Sequence, residues 1–442
     1  MGRIRKRLSS SQIIIFGFAI AILIGSLLLT IPISTKDGNG TNFIDALFTA
    51  TSAVCVTGLV VHDTATYWSV FGQGLIMIMI QIGGMGIVTI AVAISILSGK
   101  QIGLKQRSTM QEAISAHKVG GIVRMTGFII KMTIIFELLG LIIMAPTFCK
   151  EFGTIKGIWY SLFHSISAFC NAGFDLMGVK EQYSSLTFFA NHPIINFTVM
   201  SLIIIGGIGF MTWDDIIKHK FKIRKYRMQS KVILMTTTLL IVFPAIYFYF
   251  FEFQNMPIHI RIMSSLFQSI TPRTAGFNTV DLTIISEVGL AIIIILMLIG
   301  GSPGSTAGGM KTTTIAVMLS TAISVFRRRE HTHFFGRRVN EETVRNAGTI
   351  LMLYVILFLT GGCIISCIED LPLLSCLFET ASAIGTVGLT LGITTKLGII
   401  SKMILIFLMY VGRVGSLTLI FSAISGNQGN TARFPQEKIT VG

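Results

Sequence analysis

Residues 300–314, GGSPGSTAGGMKTTT, carry the residue types of a phosphate-binding loop: glycines, then a lysine, then a hydroxyl. A Walker A loop requires GxxxxGK[ST], with the lysine directly after the glycine. Here the frame runs Gly304, Ser305, Thr306, Ala307, Gly308, Gly309, Met310, Lys311, Thr312, so Met310 separates glycine from lysine. A nucleotide loop also follows a β-strand and opens a soluble helix. This stretch follows GLAIIIILMLI and leads into TIAVMLSTAISV. In such apolar surroundings, glycines together with Pro303 break a helix instead of cradling phosphate.

Four other segments share a second glycine pattern: ALFTATSAVCVTGL (46–59), SLFHSISAFCNAGF (161–174), SLFQSITPRTAGF (265–277) and CLFETASAIGTVGL (376–389). From the phenylalanine to the glycine the spacing is 10, 10, 9 and 10 residues, and the short third copy holds Pro272 and Arg273. Thr386-Val387-Gly388 matches the opening of the potassium-channel filter sequence TVGYG. The chemistry behind that motif is a cage of backbone carbonyls that replaces the water shell of a cation. Glycine adopts positive φ without a Cβ clash, so successive carbonyls can face one side. A helix C-terminus aimed at the cage adds partial negative charge.

These loops need elements to hold them. The 442-residue chain is 52% hydrophobic and only 12% charged, about half the charge of a soluble domain. Its mean hydropathy is +0.75. Apolar runs near 12–31, 71–97, 126–145, 192–213, 232–251, 285–325 (interrupted), 348–367 and 398–422 predict about eight membrane spans. Short helices at 43–54, 159–169, 261–271 and 372–384 precede the glycine patterns and are too short to cross. A second glycine element follows each loop: IGGMGIVTI (82–90), IGGIGFMTW (205–213), IGGSPGSTAGG (299–309) and VGRVGSLTL (411–419). The loop glycines lie 115, 103 and 112 residues apart, which makes a fourfold repeat. The expected fold is an all-α polytopic membrane protein of four tandem helix–half-helix/filter loop–helix repeats around one pseudo-fourfold pore. The units are 12–97, 122–217, 230–325 and 343–425, with terminal segments 1–11 and 426–442.

Of the 35 Lys and Arg, 24 fall in 1–11, 98–124, 216–231, 326–345 and 426–442. This alternation places both termini in the cytoplasm by the positive-inside rule. The topology accounts for the net charge of +15 without nucleic acid. The N-terminal apolar run is too long for a signal peptide and lacks a cleavage site.

The arrangement resembles the Trk/Ktr/HKT superfamily of potassium transporters, most of all the membrane subunit of Ktr systems. The resemblance covers nearly the whole chain and includes the ending FPQEKITVG. It implies one ion path per subunit, with potassium held at backbone carbonyls of a filter of Val56, Thr57, Gly58, Asn171, Ala172, Gly173, Thr274, Ala275, Gly276, Thr386, Val387 and Gly388. It also implies that Gly300, Gly301, Ser302, Pro303, Gly304, Ser305, Thr306, Ala307, Gly308, Gly309, Met310 and Lys311 form an intramembrane loop that blocks the pore from below. A serine at the first filter glycine goes with sodium permeability in the plant branch. Gly58 therefore favours K⁺, with a Na⁺-permeable or Na⁺/K⁺ symporting member as the alternative. By the same resemblance the chain is a homodimer in the bacterial cell membrane. It sits on a cytosolic RCK-type regulatory ring that binds ATP/ADP, and Na⁺ is an activator. No covalent cofactor and no enzymatic activity are expected.

Intramembrane charges are costly and usually functional. Arg413 is expected to point inward below the filter, repelling cations or pairing with the loop of unit three. That loop is expected directly beneath the third filter loop. Thr49, His164, Gln268 and Glu379 occupy equivalent half-helix positions and are expected to brace the filter from behind. Glu137 is either a lone protonated carboxyl or the partner of a nearby cation. Asp45 and Asp63 bracket the first loop as exposed carboxylates. An ATP-driven pump predicts hydrolysis by the purified chain. A substrate transporter with inverted repeats predicts neighbouring units in opposite orientations.

Overall fold

The computed structural model describes residues 9–98, 102–114 and 121–415. The N-terminal residues 1–8 and the tail 426–442, with its FPQEKITVG ending, lie outside the described residues. Four helices among the described residues are each apolar and long enough to cross a bilayer: Ser10–Leu29 (α1), Ile122–Phe152 (α6), Met228–Glu252 and Glu341–Glu369 (α14). The third is an α-helix over Met228–Tyr247 (α10) prolonged by a π turn at Phe248–Glu252. Each opens one unit. Their outer faces expose Leu23, Ile24 and Leu27 on α1 and Leu138, Leu139 and Ile142 on α6, surface that suits hydrocarbon.

After each outer helix the chain turns back into a short helix: Phe43–Cys55 (α2), Thr154–Cys170 (α7), Ile258–Ile270 (α11) and Leu373–Gly385 (α15). Thirteen residues in three of them and seventeen in α7 reach only about 20–26 Å, short of the ~30 Å hydrocarbon layer. α7 begins five residues before the expected 159. The repeated phenylalanine anchors every copy, for Phe48, Phe163, Phe267 and Phe378 are each fully buried.

The inner helices differ from the sequence expectation. Only the third was expected to be interrupted. The first is bent by 93° between Val70–Met85 (α3) and a following helix over Ile87–Leu97 (α4). The second is bent by 96° between Pro193–Ile208 (α8) and Phe210–His219 (α9). Gly86 and Gly209, at φ 84° and 96°, make the breaks, because a left-handed residue ends the helical ladder. Gly415 (φ 92°) ends the fourth inner helix, Ile399–Val414 (α16), at the matching position. The third inner helix is two pieces, Glu287–Leu298 (α12) and Thr312–Phe326 (α13), joined by an extended loop.

The segment between units one and two forms the short helix Leu104–Ala113 (α5). The only β-structure among the described residues with two paired strands is a small hairpin, His333–Phe334 (β1) with Arg337–Arg338 (β2), between units three and four. All four units run in the same order, outer helix, half-helix, loop, inner helix.

Candidate ion-binding site

The four glycine loops meet one another in a closed ring. A Cβ on Gly58 would lie 2.5 Å from the Ala172 carbonyl oxygen, and one on Gly173 would lie 2.6 Å from that of Ala275. Gly276 abuts the Val387 carbonyl in the same way, and Gly388 abuts that of Thr57. Each unit therefore touches the next, and the fourth closes on the first.

The backbone of the loops repeats as well. Val56, Asn171, Thr274 and Thr386 have φ of 59°, 60°, 74° and 51°, and the four glycines have φ of 93°, 68°, 79° and 94°. The residue between them keeps negative φ in each unit. Alternating left- and right-handed residues turn successive carbonyls toward the same side. The left-handed residues also cap the half-helices in units one, two and four. There the N–H groups of Thr57, Ala172 and Val387 donate to the carbonyls of Ser52, Ser167 and Ser382, each at 2.8 Å.

Hydroxyls at that same position hold the loops, and sequence reasoning missed them. Ser52 Oγ accepts from Gly58 N–H and Ser382 Oγ from Gly388 N–H, both at 3.0 Å. Ser167 Oγ donates to the Phe174 carbonyl at 2.7 Å, and Thr271 Oγ1 donates to that of Phe277. The signal was present as a Ser or Thr five or six residues before every loop glycine.

Of the four expected braces, two reach beyond their own helix. Glu379 accepts from Thr394 Oγ1 at 3.1 Å and from Thr390 Oγ1, which tethers the chain after loop four. His164 donates from Nδ1 to the Tyr160 carbonyl at 2.7 Å and accepts at Nε2 from Leu176 N–H. Thr49 bonds only to the Asp45 carbonyl one turn back, and the Gln268 amide has no hydrogen-bond partner. Those two do not brace the ring.

Beneath the ring lies the extended loop 299–311. It closes on itself through Gly300 N–H to the Met310 carbonyl (2.8 Å) and Thr312 N–H to that of Gly301 (3.0 Å). Inner helix two holds it at Ser302 N–H to the Gly207 carbonyl and Phe210 N–H to that of Gly304. Thr306 Oγ1 donates to the Phe169 carbonyl and accepts from Asn171 Nδ2 at 2.9 Å. On the other side a Cβ at Gly309 would lie 2.8 Å from the Gly385 carbonyl, and Gly308 abuts the Thr386 hydroxyl. The loop is thus seated under the second and fourth glycine loops, not under the third as expected.

Two cations clamp this loop by its carbonyls. Lys311 Nζ donates to Ala307 O (2.8 Å) and Gly308 O (3.3 Å). Arg413 donates to Thr306 O and to the carbonyls of Gly83 and Gly84 on inner helix one. Arg413 therefore pairs with the loop of unit three. Lys311, Arg413 and Tyr354 line a cavity of about 310 Å³ with Phe18, Met85 and Ile114.

Other charges depart from expectation. Asp63 is buried and accepts from the N–H groups of Ala65, Thr66 and Tyr183, so it ties the loops of units one and two together. Asp45 pairs with Lys402 Nζ at 2.8 Å and faces His62 at 3.3 Å. Both are structural groups, not free carboxylates. Glu137 has neutral partners, Gln81 Nε2 at 3.2 Å and the Cys170 thiol.

A ring of carbonyl-bearing loops, buried within four helical units and backed by half-helix C-termini, defines a cation-transporting membrane protein. The comparisons agree. The chain matches the family model "TrkH: Cation transport protein" over residues 7–433 and belongs to that family. It is 39% identical to the potassium/sodium uptake protein NtpJ of Enterococcus hirae, over 100% of this chain and 99% of that protein. It is 37% identical to the Ktr system potassium uptake protein B of Bacillus subtilis, over 99% and 97% of the two chains. Its fold matches the potassium transporter TrkH from Vibrio parahaemolyticus with a TM-score of 0.76, at 18% identity, over 95% of this chain and 86% of that one. The family is one of transporters, not enzymes.

Proposed function

We propose that this chain is the potassium-translocating pore subunit of a Ktr-type uptake system. The observation that carries the proposal is the closed contact of Gly58, Gly173, Gly276 and Gly388 with the carbonyls of neighbouring loops. Carbonyls of Val56, Thr57 and Gly58 and of the three matching triplets, 171–173, 274–276 and 386–388, would replace the water of a dehydrated K⁺. The buried side-chain oxygens of Thr57, Asn171 (Oδ1), Thr274 and Thr386 have no protein partner, which suits groups that meet an ion or its water. Inward flow is driven by the membrane potential, about 2.3 kcal/mol per charge per 100 mV.

In this proposal the loop of residues 300–311 is the gate. It blocks the path from below, and it opens when Lys311 and Arg413 release the carbonyls of 306–308. Arg413→Gln removes one clamp and is expected to raise K⁺ flux severalfold; an unchanged flux in proteoliposomes would refute the gate. The subunit is placed in a bacterial cell membrane with both termini cytoplasmic, as a homodimer on a cytosolic RCK-type ring that senses ATP/ADP. Na⁺ acts as an activator. The named Ktr relatives support the system, and the basic loops support the sidedness.

The alternative is a Na⁺-permeable or Na⁺/K⁺ symporting member, which the printed name of the Enterococcus hirae relative favours. Gly58 in place of serine favours K⁺. The deciding experiment is potassium-limited growth of an uptake-deficient bacterium expressing this chain, with and without a Ktr regulatory subunit. Rescue is expected with the subunit present, and no rescue in either case would overturn the proposal.

A further inference from the structure

The half-helix of unit three ends unlike the others. In units one, two and four the residue before the loop is Cys55, Cys170 or Gly385, each without charge. In unit three it is Arg273. Helix α11 stops at Ile270, Thr271 stays right-handed, and Arg273 N–H closes the turn on the Ile270 carbonyl at 3.1 Å. Arg273 is 6% exposed, and its Nε has no hydrogen-bond partner. Among the described residues it joins no ion pair.

A buried, unpaired guanidinium is expensive, and it stays charged. Its position gives the charge a target. A helix C-terminus carries roughly half a negative charge, and four such ends face the ring. Three have an uncharged residue before the loop, whereas the third has a full positive charge in the turn that follows its last residue, Ile270. Conduction requires an ion to bind well enough to enter and weakly enough to leave.

We propose that Arg273 offsets the field of the third half-helix and thereby sets the cation affinity of the ring. It is a positioning residue for the field, acting through the helix end with no contact to the ion. This rests on the reading that the four loops bind the ion.

The test is K⁺ uptake kinetics of the full chain with its regulatory subunit, for Arg273→Gln and Arg273→Lys beside Gly58→Ser. Arg273→Gln is expected to lower the half-saturating K⁺ concentration about fivefold, the scale of a charge at a partly buried helix end, and to lower the maximal rate. Arg273→Lys keeps the charge and should restore native values. A native half-saturating concentration in Arg273→Gln overturns the proposal, as does a shift in Arg273→Lys equal to that of the glutamine form. If Arg273→Gln is not recovered from membranes, Arg273→Met takes its place. If neither neutral form is recovered while Arg273→Lys is native, the charge serves folding and the proposal is overturned. Unchanged ion selectivity in Gly58→Ser would instead remove the filter reading itself, so the two failures are distinguishable.

Discussion

Replacing Gly58 by serine tests the ring at its closing contact. Gly58 has φ 93°, where a residue with a Cβ pays about 1–2 kcal/mol. The new Cβ would lie 2.5 Å from the Ala172 carbonyl oxygen and 3.1 Å from Gly173 Cα. Cβ atoms essentially never approach closer than 3.0 Å, so the Ala172 carbonyl must retreat by about half an ångström or the serine must turn away. Either movement displaces a carbonyl that faces the proposed ion, and the serine hydroxyl adds an oxygen of different field strength. A change of about 1.4 kcal/mol is a factor of ten, so the K⁺ over Na⁺ preference should fall about tenfold. The assay is ⁸⁶Rb⁺ uptake in proteoliposomes under Na⁺ competition, with Gly58→Ala to separate bulk from hydroxyl. Gly127→Ala, on α6, is the control. No atom lies within 4 Å of its would-be Cβ and its φ is not positive, so its effect should stay within about 0.5 kcal/mol. Native selectivity in Gly58→Ser, at native protein levels, would refute the reasoning.

Further outcomes concern the outer loops. Burial pushes the Asp175 carboxyl up from 3.8 to about 7, and the nearby Asp63 charge adds to the shift. The folded state then holds the proton more tightly than the unfolded chain. This contribution to stability is fully present below about pH 4 and is lost as pH rises through about 7. The melting temperature of the purified protein should fall between about pH 5 and pH 8, and Asp175→Asn should flatten that slope. Asp63→Asn weakens acceptance from three backbone N–H groups and should cost about 2–3 kcal/mol, read as a lower melting temperature in detergent. Lys402→Met removes the tie between α16 and the start of α2, for about 1–3 kcal/mol. In a double variant with Asp45→Asn the losses should sum to less than the two singles; additive losses would show that the pair does not couple.

Much of the site was legible because each unit repeats the same physical problem. A half-helix too short to cross must end in buried irregular backbone, and that backbone needs a glycine, a hydroxyl to satisfy it and a buried phenylalanine to seat it. Four copies of Phe, Ser or Thr and Gly at nearly constant spacing therefore mark the loops. The helix breaks at Gly86 and Gly209 were less legible. Isolated glycines in apolar runs are compatible with straight packed helices, and only the neighbouring elements choose between the two. Gly83, Gly206 and Gly412 abut the carbonyls of Val54, Phe169 and Ile384, a close approach that no residue with a side chain permits.

Charge partners were the least legible. Asp63 and Asp45 read as exposed because the partners that tie them to other units lie far off in sequence, Tyr183 and Lys402 at 120 and 357 residues away. GGSPGSTAGGMKTTT shows the division most clearly. The intervening Met310 and the apolar flanks already excluded a phosphate cradle, and the glycines with Pro303 already required a broken span. Its seat under loops two and four, and the joint grip of Lys311 and Arg413 on the carbonyls of 306–308, came only with the fold. Periodicity and spacing are local, so the chain alone determined the units and their loops. The ring and the clamp join residues of different units, and only tertiary packing decides which carbonyl each cation meets.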